Sequence, residues 1–230
     1  MLNKTAVTAL REHLISSYTT YPPVHYTKDS PFHIPVTTGT SHLSVLAENG
    51  DAVAVTTTIN SYFGSKIRSS KFGLIFNNEM ADFSIPRKVI PTDNLPPGPN
   101  NFIEPGKRPQ SSTSPAVLLS PDRSRVLMVV GASGGSAITT GVAQVVVGAL
   151  SFKLGLEESI SMPRLHHQLI PDVVYVEKGL AHSIVAGLEE RHHNITVGGF
   201  GNNVQGIYVP SPGNIWAFSD PRKGGVADGY

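Results

Sequence analysis

A threonine that follows a glycine at the start of an alternating segment is the first residue in this sequence that could do chemistry. Thr40 follows Gly39 within TTGTSHLSV at residues 37–45. A threonine hydroxyl is a poor nucleophile, but cutting the chain just before it frees an α-amino group, with a pKa of about 8, that can act as its base. Gly39 suits a scissile bond because it has no side chain and tolerates strained dihedral angles. The pattern predicts self-cleavage between Gly39 and Thr40, and the alternative is a simple turn before a strand.

A hairpin is expected to bring two further polar side chains towards Thr40. Two segments of alternating polarity flank the turn sequence ENGD, which is typical of a hairpin. A three-residue loop at 49–51 pairs apolar with apolar positions, which places Asn60 opposite Thr40 and Thr58 two residues back on the same face. The alternative is that the threonines at 56–58 are simply good strand formers.

Two carboxylates and two serines further along the chain could hold the two ends of an amino acid. Glu79 and Asp82 are three residues apart, and both could accept hydrogen bonds from a substrate ammonium group. Ser111 and Ser112 lie at the end of a long proline-rich region, and they offer hydroxyl and backbone donors to an anion. A solvated turn and an ordinary serine loop are the alternatives.

A glycine turn between a strand and a helix is the next chemical feature. Residues 126–130 read as a strand, GASGGS follows at 131–136, and small apolar residues recur at helical spacing from 137 to 150. Successive backbone N–H groups at such a turn can stabilise a phosphate or a developing oxyanion. Because the Gly-Lys-Ser/Thr ending of a phosphate loop and the Gly-x-Gly-x-x-Gly spacing are both missing, an oxyanion is favoured.

The composition excludes several classes of protein. The chain has 230 residues and a formal net charge of +1, which fits one sizeable domain or subunit and offers no basic face for nucleic acid. It has no cysteine, so disulfides, cysteine nucleophiles and thiolate metal sites are excluded. No histidine has metal-ligand spacing with a carboxylate, so no metal site is expected. No apolar run approaches membrane-spanning length and no secretion signal is present, which leaves the location unknown.

The elements that must position these residues form two parts of the chain, with the boundary between residues 39 and 40. A helix capped by Thr5 is predicted up to Ile15, and an exposed linker rich in Ser, Thr, Tyr, Pro and His follows it. Residues 1–39 therefore form a tail, and 40–230 form a folded body. Within the body we expect a buried strand at 72–76, a helix end at 154–160, a helix at 181–191, and strands at 173–176, 204–209 and 215–219.

Six longer strings closely resemble the small subunit of γ-glutamyltransferases. They are GTSHLSV, TTINSYFGSK, FNNEMADFS, GKRPQSS, VVGASGG and the terminal SDPRKGG, and they follow the family's order between residues 40 and 230. The resemblance is specific because several independent motifs agree. Residues 1–39 resemble the end of the large subunit that precedes the cut.

The resemblance implies an α+β fold of the N-terminal nucleophile hydrolase class, an αββα sandwich of two antiparallel sheets between helical layers. It also implies roles by position: Thr40 as the nucleophile, Thr58 as the group that orients it, Asn60, Glu79 and Asp82 at the substrate α-amino group, Ser111 and Ser112 at its α-carboxylate, and Gly134 and Gly135 as the oxyanion hole. The implied reaction transfers the γ-glutamyl group of glutathione to water, an acceptor amino acid or a peptide through an acyl-threonine intermediate. No cofactor is implied, and the implied location is the extracellular face of the plasma membrane.

The chain also departs from the family pattern, which leaves three hypotheses. Family precursors carry a membrane anchor and a large subunit before the cut, and the large subunit supplies an arginine for the substrate carboxylate. Ala81 stands where an acidic residue is common beside Asp82. The first hypothesis is an active γ-glutamyl transferase whose partner is a large subunit. The second is a light chain without catalysis that binds a partner, and the third is an acylase of the same fold. An acylase would not need the ligands for a zwitterionic amino acid end. The short length has two interpretations, a true light-chain-only protein and a partial gene.

Overall fold

The structure is a computed structural model, and it describes residues 3–26, 39–86, 98–198 and 200–229. Part of the predicted linker, at 27–38, lies outside these ranges. The helices are α1 (Lys4–Leu14), α2 (Pro23–Tyr26), α3 (Ala137–Leu150), α4 (Leu156–Ser161) and α5 (His182–Glu189). The strands are β1 (Thr40–Leu46), β2 (Ala52–Thr58), β3 (Ala116–Leu119), β4 (Val126–Ser133), β5 (Leu165–His166), β6 (Val174–Val176), β7 (Ile195–Val197), β8 (Asn203–Ser211) and β9 (Asn214–Ser219).

A four-stranded antiparallel sheet in the order β3-β4-β8-β9 forms the centre of the described fold. The sequence of β4 is a continuous apolar run, and its residues 128–133 are all buried because both faces of the strand are covered. The helices α3 and α4 pack on one face, and α3 spans the predicted residues. The core between the helices and the sheet includes Met128, Val130, Ala132, Ile138, Val145, Leu156, Ile160 and Val204.

The hairpin of β1 and β2 packs on the other face of β4 through its polar side chains. Ser44 Oγ donates a hydrogen bond to the Val129 carbonyl oxygen at 3.3 Å. His42 lies so close to Gly131 that a Cβ added there would clash with the imidazole ring. Burial lowers the pKa of His42 to about 4, so this imidazole is neutral at pH 7. The layer between the two sheets is therefore polar but uncharged at this point.

The apolar side chains of the hairpin point away from the described fold. Leu43 and Val45 of β1 and Val53 and Val55 of β2 are between 42% and 58% exposed. We call these four residues the hairpin apolar face. A sheet normally buries its apolar face against another layer. Within the described ranges the layers are therefore the hairpin, the central sheet and α3 with α4, and no helix covers the hairpin apolar face.

The hairpin register differs from the prediction by two residues. Thr40 pairs with Thr58, whereas Asn60 was expected opposite it. The loop contains three residues as predicted, but it occupies 48–50 and ends at Gly50, whose φ is 88°. A three-residue hairpin loop ends in a left-handed residue, and only glycine adopts that conformation without a Cβ penalty. Gly50 thus fixes where the loop ends and shifts the register.

A third sheet lies outside the two that the sequence predicted. It joins β5, β6 and β7, and the pairing of β6 with β7 is parallel. The strand expected at 173–176 is β6, and the helix expected at 181–191 is α5. The strands β5 and β7 contain two and three residues, which is too short for a pattern of alternation to be read from the sequence.

The predicted buried strand at 72–76 is wrong. Phe72 is 72% exposed, and the chain here folds into a small exposed excursion with a single bridge between Arg68 and Ile75. Gly73 bends the backbone with a φ of 72°. Among the described residues no sheet receives this segment as a strand, so an apolar run was not sufficient to make one.

The first helix forms as expected, but with a different cap. Asn3, not Thr5, caps α1, since its Oδ1 accepts a hydrogen bond from Thr5 N at 3.0 Å. Asparagine is among the preferred cap residues because its short side chain reaches the free backbone N–H groups of the first turn. No residue of α1 is buried. In the part of the chain that the structure describes, every helix is too short or too polar to cross a membrane.

Candidate active site

Thr40 lies at the first position of β1 and is 4% exposed. Its Oγ1 donates to Thr58 Oγ1 at 3.1 Å, because the register places the two residues directly opposite each other. Thr58 Oγ1 also accepts from Asn60 N at 2.9 Å. The hydroxyl of Thr40 is therefore held in one direction, as expected for a nucleophile that must be aimed.

The carbonyl group of Gly39 lies at the other end of the same chain of hydrogen bonds. Thr58 Oγ1 donates to the Gly39 oxygen at 3.5 Å, and Ile59 N donates to it at 3.2 Å. A Cβ added to Gly39 would clash with the carbonyl oxygen of Ser61, so this position accommodates glycine alone. The hydroxyl of Thr40, the hydroxyl of Thr58 and the Gly39 carbonyl thus form a relay of two hydrogen bonds.

The predicted glycine pair lies across from Thr40, between β4 and α3. Gly134 has a φ of 131° and Gly135 a φ of 59°, conformations that side chains rarely adopt. A Cβ on Gly134 would also clash with the Gly201 carbonyl oxygen. Both glycines and Thr40 line one cavity of about 720 Å³. The structure therefore brings the predicted nucleophile and the predicted oxyanion donors to the same space.

The other wall of this cavity consists of residues that the sequence analysis did not single out. It is built from the third sheet, the loop after it and the C-terminal segment, and its side chains include Gln168, Pro171, Tyr175, Phe200 and His166. Ser136 Oγ donates to Gln168 Oε1 at 2.7 Å, which ties the glycine turn to this wall. Burial lowers the pKa of His166. Apart from Arg222 and Lys223, which the C-terminal segment contributes, this wall is largely neutral and aromatic.

The three predicted ligands of an ammonium group lie close to the hairpin end but do not line the cavity. Asn60 and Asp82 are 3% and 2% exposed. Asn60 Oδ1 and Glu79 Oε1 are buried acceptors without a donor among the described residues. Burial raises the pKa of Asp82 to about 7, and the charge of Glu79 and a hydrogen bond with it add to the increase. Unpartnered buried acceptors are costly unless a ligand supplies the donors, and an ammonium group has three N–H bonds.

The two predicted carboxylate ligands lie in a loop before β3, outside the lining of the cavity. Ser111 is exposed and its Oγ donates to Thr113 Oγ1 at 3.2 Å. Ser112 is half-buried, and its carbonyl oxygen accepts from Ser114 Oγ at 3.1 Å. Within the described residues no group of three His, Asp or Glu side chains is placed to hold a metal ion.

Lys223 contacts the candidate nucleophile, although the sequence analysis gave it no role. Its Nζ donates to the Thr40 carbonyl oxygen at 2.8 Å and to Ser133 Oγ at 3.0 Å. Partial burial lowers its pKa. The sequence signal was the charged centre of the SDPRKGG motif, but a contact between residues 40 and 223 is not visible in local patterns.

A buried ion pair fixes the segment that carries Lys223. Asp220 and Arg164 are fully buried, and Arg164 Nη2 donates to Asp220 Oδ2 at 2.7 Å. Asp220 also accepts from Val204 N and from Arg222, and Arg222 pairs with Glu177 at 2.7 Å. Although burial favours the neutral acid, the hydrogen bonds from Arg164, Val204 and Arg222 lower the pKa of Asp220 below its usual value.

Known proteins resemble this chain in sequence. A family model described as gamma-glutamyltranspeptidase matches residues 1–230. Scoloptoxin SSD20 from Scolopendra dehaani is 43% identical over 197 residues, which cover 85% of this chain and 99% of that protein. The glutathione hydrolase proenzyme of Arthroderma benhamiae is 42% identical over 193 residues, which cover 83% of this chain. The chain spans 33% of the length of that proenzyme and 36% of Scoloptoxin SSD14.

Known structures resemble it as well. A mutant of the Helicobacter pylori gamma-glutamyltranspeptidase is 36% identical with a TM-score of 0.72, covering 79% of this chain and 99% of the other. The Pseudomonas nitroreducens gamma-glutamyltranspeptidase in complex with L-DON is 33% identical with a TM-score of 0.72, covering 82% and 98%. These structures have the N-terminal nucleophile hydrolase fold, so the predicted fold class is confirmed.

Proposed function

This chain belongs to the γ-glutamyltranspeptidase family, and from this premise we propose that it carries the catalytic centre of a γ-glutamyl transferase. The proposed donors are glutathione and related γ-glutamyl compounds, and the acceptors are water, amino acids or peptides. One observation carries the proposal: the Thr40 hydroxyl, aimed by Thr58, lines the same cavity as the glycine pair Gly134–Gly135.

The proposed first step is cleavage of the chain by its own Thr40. Oγ1 attacks the Gly39 carbonyl carbon, an ester forms as the bond to the Thr40 nitrogen breaks, and that nitrogen takes up a proton. Water then hydrolyses the ester, which leaves a carboxylate on Gly39 and a free hydroxyl and amine on Thr40. The donors Thr58 Oγ1 and Ile59 N support this step because they polarise the carbonyl that is attacked.

The proposed second step uses the freed amine as the base. It takes the proton of the Thr40 hydroxyl as Oγ1 attacks the γ-carbonyl of the substrate, and the proton passes to the leaving amine. The negative oxygen of the intermediate lies against the backbone N–H groups of the glycine pair. Water or an acceptor amine then attacks the acyl-threonine ester, and the γ-glutamyl group leaves the enzyme.

The substrate's α-amino end is proposed to bind at Asn60, Glu79 and Asp82. Two of these residues hold buried oxygens without donors, and a cationic ligand would also compensate the close carboxyl pair. Ser111 and Ser112 are proposed to donate to the α-carboxylate. Because the two serines are neutral donors, their hydrogen bonds to the carboxylate are weaker than charge-assisted bonds. We therefore expect a cationic group from a large subunit to complete the binding site for the α-carboxylate.

A large subunit is the proposed partner of the hairpin apolar face. Exposed sheet faces of this kind mark interaction surfaces. Hydrolysis of γ-glutamyl-p-nitroanilide should be weak for this chain alone and should rise when it is co-expressed with a large subunit of the family. Val45→Asp should abolish the rise without preventing the cut at Thr40, whereas an exposed control, Asp51→Asn, should leave it unchanged. Full activity of the chain alone contradicts the proposed partner.

The alternative is a light chain that binds a partner without catalysis. It is kept because Scoloptoxin SSD20 matches this chain over 99% of its own length, so a relative of light-chain size exists. The same experiment separates the two functions. Association with the large subunit without any gain in hydrolysis, although Thr40 is a free terminus, favours a light chain that only binds a partner.

The raised pKa of Asp82 leads to a prediction for substrate binding. Below about pH 7 this carboxyl is largely protonated, and it then offers no charge to an ammonium ligand. Binding of L-glutamate to the assembled protein should therefore tighten as the pH rises through 7, by up to about tenfold per pH unit below the pKa, and should level off above it. Calorimetry in buffers of different ionisation enthalpy should detect the released proton. Asp82→Asn should bind weakly at every pH, and a pH slope that persists in this variant would show that another group is responsible.

A further inference from the structure

Lys223 places a positive charge beside Thr40 that the described residues do not neutralise. Its Nζ is bonded to two neutral oxygens, the Thr40 carbonyl oxygen and Ser133 Oγ. Among the described residues no carboxylate forms an ion pair with it. The neighbouring Arg222 differs, because Glu177 and Asp220 both pair with its guanidinium group.

We propose that the charge of Lys223 lowers the pKa of the α-amino group that cleavage gives to Thr40, and so keeps this amine in its basic form at neutral pH. The inference rests on the proposed function, because the amine exists only after the bond between Gly39 and Thr40 is cut. Lys223 does not need to touch the substrate. It acts on the reaction through Thr40.

The distances support an interaction of useful strength. The nitrogen and the carbonyl oxygen of one residue are about 3 Å apart, and Nζ is 2.8 Å from that oxygen. The two nitrogen atoms therefore lie within roughly 6 Å of each other, a range in which a like charge disfavours protonation. A decrease of about one unit from a pKa near 8 would raise the uncharged fraction at pH 7 from about one tenth to about one half.

The other ionisable groups near this position do not replace Lys223. His42 on the same strand faces Thr56 and Ser44, and burial keeps it neutral at pH 7. Glu79 and Asp82 near the hairpin end would raise the amine pKa, and so oppose the effect. The cut itself adds a carboxylate on Gly39, which lines the cavity and also opposes the effect. The remaining ionisable residues that line the cavity are Tyr62, His166, Tyr175 and the paired Arg222.

The fold holds Lys223 in place from both sides. On one side Asp220 is fixed by Arg164, as described above, and Lys223 N donates to the Asp220 carbonyl oxygen at 3.0 Å. On the other side Gly225 N donates to the Lys223 carbonyl oxygen at 2.8 Å, and a Cβ on Gly225 would clash with Ser219 Oγ. A tight turn therefore presents the ammonium group to Thr40 instead of leaving it to swing in solvent.

The test measures the pKa of the Thr40 amine directly, by NMR titration of the cut chain labelled with ¹⁵N-threonine. If the chain does not cut itself, co-expressing residues 1–39 with a ubiquitin fusion of residues 40–230 exposes the same terminus when ubiquitin is removed. Lys223→Met should raise the amine pKa by about one unit, and Lys223→Gln should do the same although it keeps a donor for the two oxygens. Lys223→Arg should stay near the parent value.

The comparison of these variants decides between charge and position. A parent-like pKa in Lys223→Gln or Lys223→Met would overturn the inference, since the ammonium charge would then have no effect on the amine. Lys4→Met on the exposed helix α1 removes the same charge at a distance and should change nothing. In the active assembly the acid limb of the pH profile of kcat/KM should move to higher pH in Lys223→Gln. Absence of γ-glutamyl hydrolysis in the parent chain assembled with a large subunit would refute the proposed function, while the amine titration would still decide the role of Lys223.

Discussion

Thr40→Ala should remain a single uncut chain and should show no γ-glutamyl hydrolysis above background, even when a large subunit is present. The variant lacks the only atom proposed to attack either the Gly39 carbonyl or the substrate. Removing the nucleophile from a comparable hydrolytic centre typically reduces kcat by about 10⁶-fold. Intact-mass measurement should give the full precursor, and the parent chain should give a second mass beginning at Thr40.

Two control variants make this result specific. Thr40→Ser keeps a hydroxyl and should retain some cleavage, whereas Ser41→Ala changes the next hydroxyl along the strand and should be cut like the parent. If Thr40→Ala is still processed at the same bond, a contaminating protease makes the cut and the proposed role of Thr40 is lost.

Asp220→Ala should destabilise the protein by about 3–5 kcal/mol, because it leaves the fully buried Arg164 without its counter-ion. It also removes the acceptor of Val204 N and one partner of Arg222. For a domain of this size the loss corresponds to a decrease in Tm of roughly 10 °C. Differential scanning calorimetry and urea unfolding should both report it.

A surface pair and a double variant serve as controls for the buried pair. Glu104→Ala removes one side of an exposed ion pair with a distance of 3.8 Å and should change stability by less than about 1 kcal/mol. Replacing both buried partners, in Arg164→Met/Asp220→Leu, should recover part of the stability because no unpaired charge remains. A double variant that is no more stable than Asp220→Ala would show that the unpaired charge of Arg164 does not cause the loss.

The low pKa of Asp220 fixes the direction of a pH effect on stability. A carboxyl whose pKa is lower in the folded state than in the unfolded state stabilises the fold at pH values above its unfolded pKa. This contribution is lost as the pH falls through the folded pKa. Acid unfolding of the parent protein should therefore include a component that Asp220→Ala lacks.

Local sequence patterns predicted the parts of this fold that depend on neighbours in the chain. The helix α3 has the predicted bounds because its small apolar residues repeat at helical spacing after a glycine turn. The glycine turn itself, β6, β8 and β9 also lie close to their predicted positions. These elements are specified by periodicity and turn chemistry over short stretches.

Most of the failures have a common physical cause, which is that long-range packing decides them. The exposed segment at 72–76 has a strand-like composition but lacks a partner strand among the described residues. The register of the hairpin is the exception, because the local conformation of Gly50 shifted it by two residues. The inward direction of the polar hairpin side chains contradicts the usual rule that apolar residues face the nearest layer. Lys223 and the pair of Arg164 with Asp220 join residues that are far apart in sequence. Local patterns singled out Thr40 and the glycine turn as candidates, and the longer motifs that resemble a family gave each of them its expected role.

The relay at Thr58 implies an order of events that can be read by counting hydrogens. Its hydroxyl has one hydrogen, which in the uncut chain is directed at the Gly39 oxygen, while its oxygen receives the hydrogen of Thr40. If the proposed cut occurs and the new Gly39 carboxylate moves away, that single hydrogen is released for a new acceptor, and the oxygen of Thr40 is already within hydrogen-bond distance. The direction of donation then reverses, which frees the Thr40 hydrogen for the new amine. Breaking the bond would thus reverse this hydrogen bond once and irreversibly. The uncut and the cut protein would then differ in which of the two threonine hydroxyls is the donor.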